Sequence, residues 1–296
     1  MRKRILITGA TGFVGIHLIR KIIKENYIIT CLVKKDRRFI KGLKELKKYP
    51  VKIIYADITK INSLIKIKKH DVLIHLAAAV GVNDIIENMN VNWIGSRNML
   101  EACRIINIRR IISFGSIAGL KKFKGIYGIT KNESERIFRE SGFNVAIFRP
   151  TMIYGKESKG FNKVIKSVKM FPWFIPIVGN GKHLRQPVYV EDVVDAVLAS
   201  LKTKKSIGKI YNLAGAKRLT FNEFIDKICK ELGIRKVKIH IPIFICKIIA
   251  AIYPLITKRE ILSINQDTRM NITLTKKDLG FNPIKLEDGI RRIFKY

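Results

Sequence analysis

Arg4-Ile5-Leu6-Ile7-Thr8-Gly9-Ala10-Thr11-Gly12-Phe13-Val14-Gly15 is the stretch that decides the fold. Its first five residues form a short apolar run bounded by Gly9, the pattern of a parallel-sheet strand buried on both faces. The spacing G-x-x-G-x-x-G follows at once, and residues 16–24 carry apolar side chains at helical intervals. Glycine permits the tight turn and lets the backbone approach a pyrophosphate. The helix start then offers N–H groups and partial positive charge to the phosphates. A strand before and a helix after form the context that gives such a glycine pattern its meaning. Gly9, Thr11, Gly12, Phe13, Val14 and Gly15 are therefore candidate contacts for a dinucleotide.

Outward from this turn, strand patterns recur at 28–33, 51–55, 71–76, 110–114 and 144–149, with helical patterns between them, notably at 88–106 and 131–141. Strand alternating with helix predicts an α/β fold, a Rossmann-type doubly wound parallel sheet with right-handed crossovers. After Pro150 the pattern loosens. Residues 155–187 read as glycine- and proline-rich loops around a helix at 161–170. Helices follow at 191–201 and 221–232, with a strand at 210–213. The expected division is a dinucleotide-binding domain over 1–154 and a smaller C-terminal substrate-binding lobe over 155–296. Segments around 185–215 are expected to return to the first sheet.

The 296 residues suit one large domain or two closely joined ones. At 47% hydrophobic, the chain has ample material for a core. Lys+Arg number 58 against 23 Asp+Glu, a net charge of +35 that predicts attraction to anions. Much of it is lysine interleaved with isoleucine, which reads first as solvated helix faces. Nucleic acid or an anionic membrane surface is the less favoured partner. Cys31, Cys103, Cys229 and Cys246 show no metal-finger spacing, so neither a disulfide framework nor a metal is expected. The apolar segment 239–256 is interrupted by His240, Pro242, Lys247 and Pro254. It falls short of the ~20 residues of a membrane span and reads as a core or interfacial helix. The opening residues lack a signal-peptide core, and a cytoplasmic location is expected.

An acidic residue ending the second strand would bind a ribose 2′-OH and suit NAD. Here that strand runs into Lys34-Lys35-Asp36-Arg37-Arg38. Basic residues suit the 2′-phosphate of NADP, with Lys34 and Arg37 as the candidates, while Asp36 keeps NAD open.

Tyr127 and Lys131 stand four apart, on one helical face. A nearby ammonium favours phenolate and lowers the tyrosine pKa, so Tyr127 is a candidate for proton exchange with a substrate hydroxyl or carbonyl. Ser116, just past the fifth strand, can hydrogen-bond the reacting oxygen or cap a turn.

With these motifs, the chain resembles the extended branch of the short-chain dehydrogenase/reductase family, the NAD(P)-dependent epimerase/dehydratase group. The resemblance also rests on Asp57, on His75-Leu-Ala-Ala-Ala, on Asn90-Val-Asn-Trp-Ile-Gly-Ser, on Arg149-Pro-Thr-Met-Ile-Tyr-Gly and on Arg185-Gln-Pro-Val-Tyr-Val-Glu-Asp192. It implies a catalytic trio of Ser116, Tyr127 and Lys131, with Lys131 also holding the nicotinamide ribose. It implies that Asp57 and Ile58 meet the adenine, that Ala77, Ala78 and Ala79 line the cofactor, and that Asn92 supports the active-site lysine. Arg185 matches a position that meets a substrate diphosphate, or else pairs with Asp192. One departure stands out. Tyr127 follows Ser116 by eleven positions, whereas sugar epimerases of the group carry a longer insertion there. In this the chain is similar to atypical members, including those like the accessory subunit of respiratory complex I.

The expected activity is therefore that of an NAD(P)-dependent enzyme acting on a nucleotide-activated sugar by hydride transfer, with Tyr127 as general acid–base. An NADP-dependent reductase of a non-sugar carbonyl, or a cofactor-bound protein without turnover that associates with RNA or resembles the complex I subunit, are the alternatives. Relatives pair helices equivalent to 88–106 and 131–141 into a homodimer interface, which the resemblance extends to this chain.

Overall fold

Ile5, Leu6 and Ile7 are wholly buried, because helices cover both faces of the strand that carries them. In the computed structural model, which describes residues 2–82, 84–252, 261–262 and 265–294, that strand is β1 (Lys3–Thr8). It is followed by α1 (Phe13–Ile22), β2 (Tyr27–Val33), α2 (Ile40–Leu46), β3 (Lys52–Tyr55), α3 (Ile61–Leu64) and β4 (Val72–His75). Next come α4 (Ile85–Asn88), a π-helical segment (Met89–Ile94), α5 (Gly95–Ile105), β5 (Arg110–Phe114), α6 (Ile126–Arg139) and β6 (Asn144–Pro150).

The second half contributes β7 (Ile153–Tyr154), α7 (Lys159–Met170), β8 (Phe174–Val178), β9 (Leu184–Arg185), β10 (Val188–Tyr189) and α8 (Val190–Lys202). It continues with β11 (Ile210–Leu213), β12 (Leu219–Thr220), α9 (Phe221–Glu231), β13 (Val237–Ile241) and α10 (Ile243–Ile252). The helices Thr273–Leu279 and Leu286–Phe294 follow.

Seven strands form one parallel sheet in the order β11-β6-β5-β4-β1-β2-β3. Strand order reverses between β1 and β4, which opens a crevice at their C-terminal ends. One core cluster packs α1 and α8 against the sheet through Leu18, Ile19, Val193 and Val197. A second fills the opposite face with Leu6, Leu73, Met99, Cys103 and Phe138. A third is centred on Tyr154, Phe161, Phe224 and Ile290. Each buried Leu or Ile contributes about 1.5–3 kcal/mol.

Two sequence expectations change. The helix pattern at 88–106 is not one α-helix but α4, a π-helical segment and α5. The apolar segment 239–256 is not one helix either. Val237–Ile241 pairs with β8 as a strand, and Pro242, which lacks a ladder donor, separates it from α10. Residues 253–256 lie outside the described residues. Among the described residues, no helix is long and apolar enough to cross a membrane.

Candidate active site

The C-terminal ends of five adjacent strands carry the candidate residues in a row. Ser116 follows β5, Ala77 to Ala79 follow β4, and the glycine turn follows β1. Lys34 follows β2, and Asp57 follows β3. At about 4.8 Å per strand, the row spans roughly 19 Å along one rim.

The glycine turn has little room for side chains. Gly9 adopts φ +70°, and a Cβ there would lie 2.6 Å from the Ala77 amide nitrogen. A Cβ on Gly15 would lie 2.3 Å from the Gly9 carbonyl oxygen. Gly12 caps α1 in extended conformation with no side-chain cap, and the first turn holds no acidic residue. The N–H groups of Phe13, Val14 and Gly15 thus lack intrahelical acceptors and point at the crevice. Thr11 is backed by Gly42 of α2, whose Cβ would sit 2.1 Å from the Thr11 carbonyl oxygen. Phe13 lies against Gly155 and edge-on to His17, and Val14 packs on the first core cluster.

At the ends of β2 and β3 the charges pair off. Lys34 Nζ stands 3.0 Å from Asp57 Oδ2, so it is not an isolated cation awaiting a phosphate. Asp57 Oδ1 also accepts from the Thr59 amide and hydroxyl at 3.0 and 2.8 Å. Burial pushes the Asp57 carboxyl up, but these bonds and Lys34 together hold it below its ordinary value. Asp36 caps the next turn and binds Arg38, while Arg37 is exposed. Ile58 is buried beneath Gly95, and its carbonyl accepts from Asn98 at 2.8 Å.

Ala77 to Ala79 are held by side chains from both sides. The Ala77 amide donates to Thr8 Oγ1 at 3.3 Å. The Ala79 amide donates to Asn92 Oδ1 at 2.8 Å. Asn92 Nδ2 donates to Thr130 Oγ1 at 3.0 Å and Asn88 Oδ1 at 3.2 Å. Asn92, 1% exposed, therefore ties the alanine loop to α6 one residue before Lys131. Beneath it, His75 bonds Thr8 through Nδ1 at 2.8 Å and Ser96 through Nε2 at 3.3 Å. Burial lowers His75 to about 3, keeping it neutral.

Helix α6 starts five residues earlier than its apolar spacing indicates, which puts Tyr127 in its first turn. Ser116 Oγ accepts from the Ala118 amide at 3.2 Å and so caps the turn Ile117–Leu120. Its hydroxyl also hydrogen-bonds the Tyr127 phenol. The expected lowering of Tyr127 by Lys131 is not what the site shows. Burial raises the Tyr127 phenol, and the Ser116 hydroxyl opposes that rise. Lys131, 3% exposed, is itself lowered to about 8 by burial, against which Glu135 acts. Glu135 is fixed by Arg149, whose Nε donates to Oε2 at 2.8 Å and whose Nη2 binds Oε1.

Arg185 lies in β9, donating to the carbonyls of Leu184 at 3.3 Å and Gln266 at 3.0 Å. Asp192, its alternative partner in the sequence reading, instead accepts the Ile284 amide at 3.1 Å. Lys121 and His183 join Arg185 here. Neither belongs to a motif, since only the tertiary fold brings residues 121 and 183–185 together.

The arrangement is a dinucleotide cradle on a doubly wound sheet, with a hydroxyl, a phenol and an ammonium at one end. Residues 5–214 match the model of the NAD dependent epimerase/dehydratase family, and the chain belongs to that family. A Methanocaldococcus jannaschii protein provisionally named a UDP-glucose 4-epimerase is 29% identical, covering 99% of this chain and 97% of its own. The mitochondrial NADH dehydrogenase [ubiquinone] 1 alpha subcomplex subunit 9 of Dictyostelium discoideum is 26% identical over 97% of this chain and 83% of its own. Among solved structures, the UDP-glucuronic acid 4-epimerase of Bacillus cereus in complex with NAD has the same fold. Its TM-score is 0.79 at 22% identity, over 99% of this chain and 98% of that one.

Proposed function

We propose that the chain is an NAD(P)-dependent enzyme acting on a nucleotide-activated sugar by hydride transfer, with Tyr127 as general acid–base and NADP preferred. The observation that carries this reading is the position of Ser116, Tyr127 and Lys131. Ser116 lies two strands along the rim from a glycine turn too tight for side chains, and its hydroxyl bonds Tyr127, which stands one helical turn before Lys131 in α6. The relatives support it, being named as a UDP-sugar epimerase and, in Bacillus cytotoxicus, a UDP-N-acetyl-alpha-D-glucosaminuronate decarboxylase.

The residues fit a dinucleotide. A Cβ would fill the cradle at Gly9 and Gly15, and the α1 N-terminus is free of acidic side chains. The N–H groups of Phe13, Val14 and Gly15 would hold the pyrophosphate. Asp57 and the Ile58 segment would take the adenine side, with Lys34 and Arg37 beside the 2′-phosphate. Ala77 to Ala79 would line the middle, and Lys131 would hold the nicotinamide ribose. When bound, the cofactor supplies the hydride acceptor and donor.

The chain's own residues manage the proton. Burial keeps Tyr127 protonated, which suits the half-reaction that gives a proton to a substrate carbonyl oxygen. Ser116 orients that oxygen and favours the phenolate that takes the proton back. The test is turnover of UDP- or dTDP-sugars by the wild type and Tyr127→Phe. Activity should fall by orders of magnitude while cofactor binding persists. Undiminished turnover in the variant removes the mechanism. We also infer a homodimer through α5 and α6, whose outer surfaces expose Ile105 and Ile129. Light scattering reporting a monomer at micromolar concentration would refute it.

A further inference from the structure

The two-stranded sheet of β8 and β13 turns an apolar face outward. Its register pairs Val237 with Phe174, Ile239 with Pro176 and Ile241 with Val178. Paired residues share a face, and successive residues alternate between faces. Ile175 and Ile177, on the other face, are buried in the third core cluster. On that inner side Lys238 pairs with Asp226, and His240 bonds Asn222. A strand pair with one wetted face ordinarily places polar residues there, and this one places none. Val237 is 70% exposed and Ile239 47%. The flanking chain extends the surface. Trp173, 78% exposed, immediately precedes β8, and its carbonyl accepts the Val237 amide at 3.0 Å. Phe171 stacks on Phe174 at 4.4 Å and 15°, which fixes the turn that presents Trp173. Met170, also exposed, ends α7. Beyond Pro242, α10 exposes Phe244 and Ile248, four apart on one helical face.

We propose that this face docks on an anionic membrane surface, with Trp173, Met170, Val237 and Ile239 at the boundary of headgroups and acyl chains. The charge around it has one sign. Residues 158–182 and 232–252 contain nine Lys or Arg and no Asp or Glu. Lys163 and Lys166 are exposed and share one face of α7 with Met170, so cations line the approach to the apolar residues. Asp226, which α9 brings to the inner side of the sheet, is held by Lys238. Lysine stems lie along apolar surface while their ammonium groups reach lipid phosphates. Trp173 suits the same boundary, apolar in its ring and polar at its N–H. Nucleic acid would satisfy the lysines but not the rest. Val, Ile and Met do not stack on bases, and an exposed patch of them calls for an apolar medium. Contact of this kind lies on the bilayer and needs no spanning helix.

The test is co-sedimentation of the full chain with vesicles of phosphatidylcholine alone and of phosphatidylcholine mixed with phosphatidylglycerol. Wild type should bind the mixed vesicles and not the neutral ones, and binding should weaken as salt rises. The Trp173→Ser, Val237→Ser double variant should bind the mixed vesicles about tenfold or more weakly. Both positions are exposed, so the fold should stand, and matching melting curves check it. Because the whole chain is basic, the cations need a control of equal charge loss. Lys163→Gln with Lys166→Gln should weaken binding more than Lys44→Gln with Lys47→Gln, which alters exposed lysines at α2. Absence of binding to mixed vesicles overturns the proposal, as does a Trp173–Val237 variant that binds like wild type. Equal losses in the two lysine pairs assign the attraction to diffuse charge and overturn it as well. So does binding of single-stranded RNA that the Trp173–Val237 variant loses while it keeps the vesicles. Neither Trp173 nor Val237 belongs to the active site proposed above, so turnover in these variants reports separately on the enzyme reading.

Discussion

Lys34 and Asp57 meet across the ends of β2 and β3, with Nζ 3.0 Å from Oδ2. On the proposed reading, the cation beside the 2′-phosphate is thereby fixed by the carboxylate on the adenine side. Lys34→Ala should weaken NADP about tenfold while leaving NAD nearly unchanged. Fluorescence titration with both cofactors checks this, and equal losses for the two would argue against a phosphate contact.

Asn92 satisfies one buried amide and one buried hydroxyl on two different elements. Asn92→Ala leaves the Ala79 amide without its partner, at a cost of about 1–3 kcal/mol, while the Thr130 hydroxyl keeps the Ile126 and Tyr127 carbonyls. The melting temperature should fall by several degrees, and cofactor affinity should fall with it as the alanine loop loosens. A melt matching wild type would show that water replaces the side chain.

Gly15→Ala should fold but bind cofactor poorly. The added methyl meets backbone at 2.3–2.8 Å in Gly9 and Ala10, so the turn must move away from α1. Equilibrium dialysis with NAD and NADP reads the loss, and affinity equal to wild type would mean that the turn yields without consequence.

Arg149 and Glu135 form a pair buried behind Lys131. Removing the cation in Arg149→Met leaves a carboxylate buried without its partner, a loss of about 3–5 kcal/mol. Urea denaturation should show it. The Glu135→Gln, Arg149→Met double variant should recover part of the stability, and a double variant as weak as the single would contradict the pairing argument.

Burial raises the Asp192 carboxyl to about 6, partly countered by the Ile284 amide. Between its ordinary value near 4 and about 6, the folded protein holds a proton that the unfolded chain has lost. Stability from this group therefore falls as pH rises through that window. Asp192→Asn should raise the melting temperature above pH 6, and the gain should vanish toward pH 4. A pH-independent difference would assign the effect to packing.

The fold was legible because its strands are consecutive apolar runs and its first turn is a glycine signature. The strands at 110–114 and 210–213 match their patterns residue for residue. What escaped was set by distance along the chain. The break at Met89–Ile94 holds Asn92, which reaches both Ala79 and Thr130, contacts that no local spacing encodes. β13 was hidden in a run of isoleucines that suits either strand or helix, and only pairing with β8 decides it. The Tyr–Lys spacing placed two side chains on one face, but burial, a tertiary property, reverses the expected shift of the phenol. Lys121, His183 and Gln266 belong to no motif and come near one another only in the tertiary fold.

The last strand of the sheet comes from far down the chain. Ile147 donates to the Lys209 carbonyl, and Thr151 donates to the Leu213 carbonyl. During synthesis, β6 pairs with β5 on one side, but its other edge is an apolar border with hydrogen-bonding groups unanswered until residue 213 clears the ribosome. A fragment cut after residue 154 keeps that border permanently and should stick to its own kind, so the two halves of this protein are made to be born together.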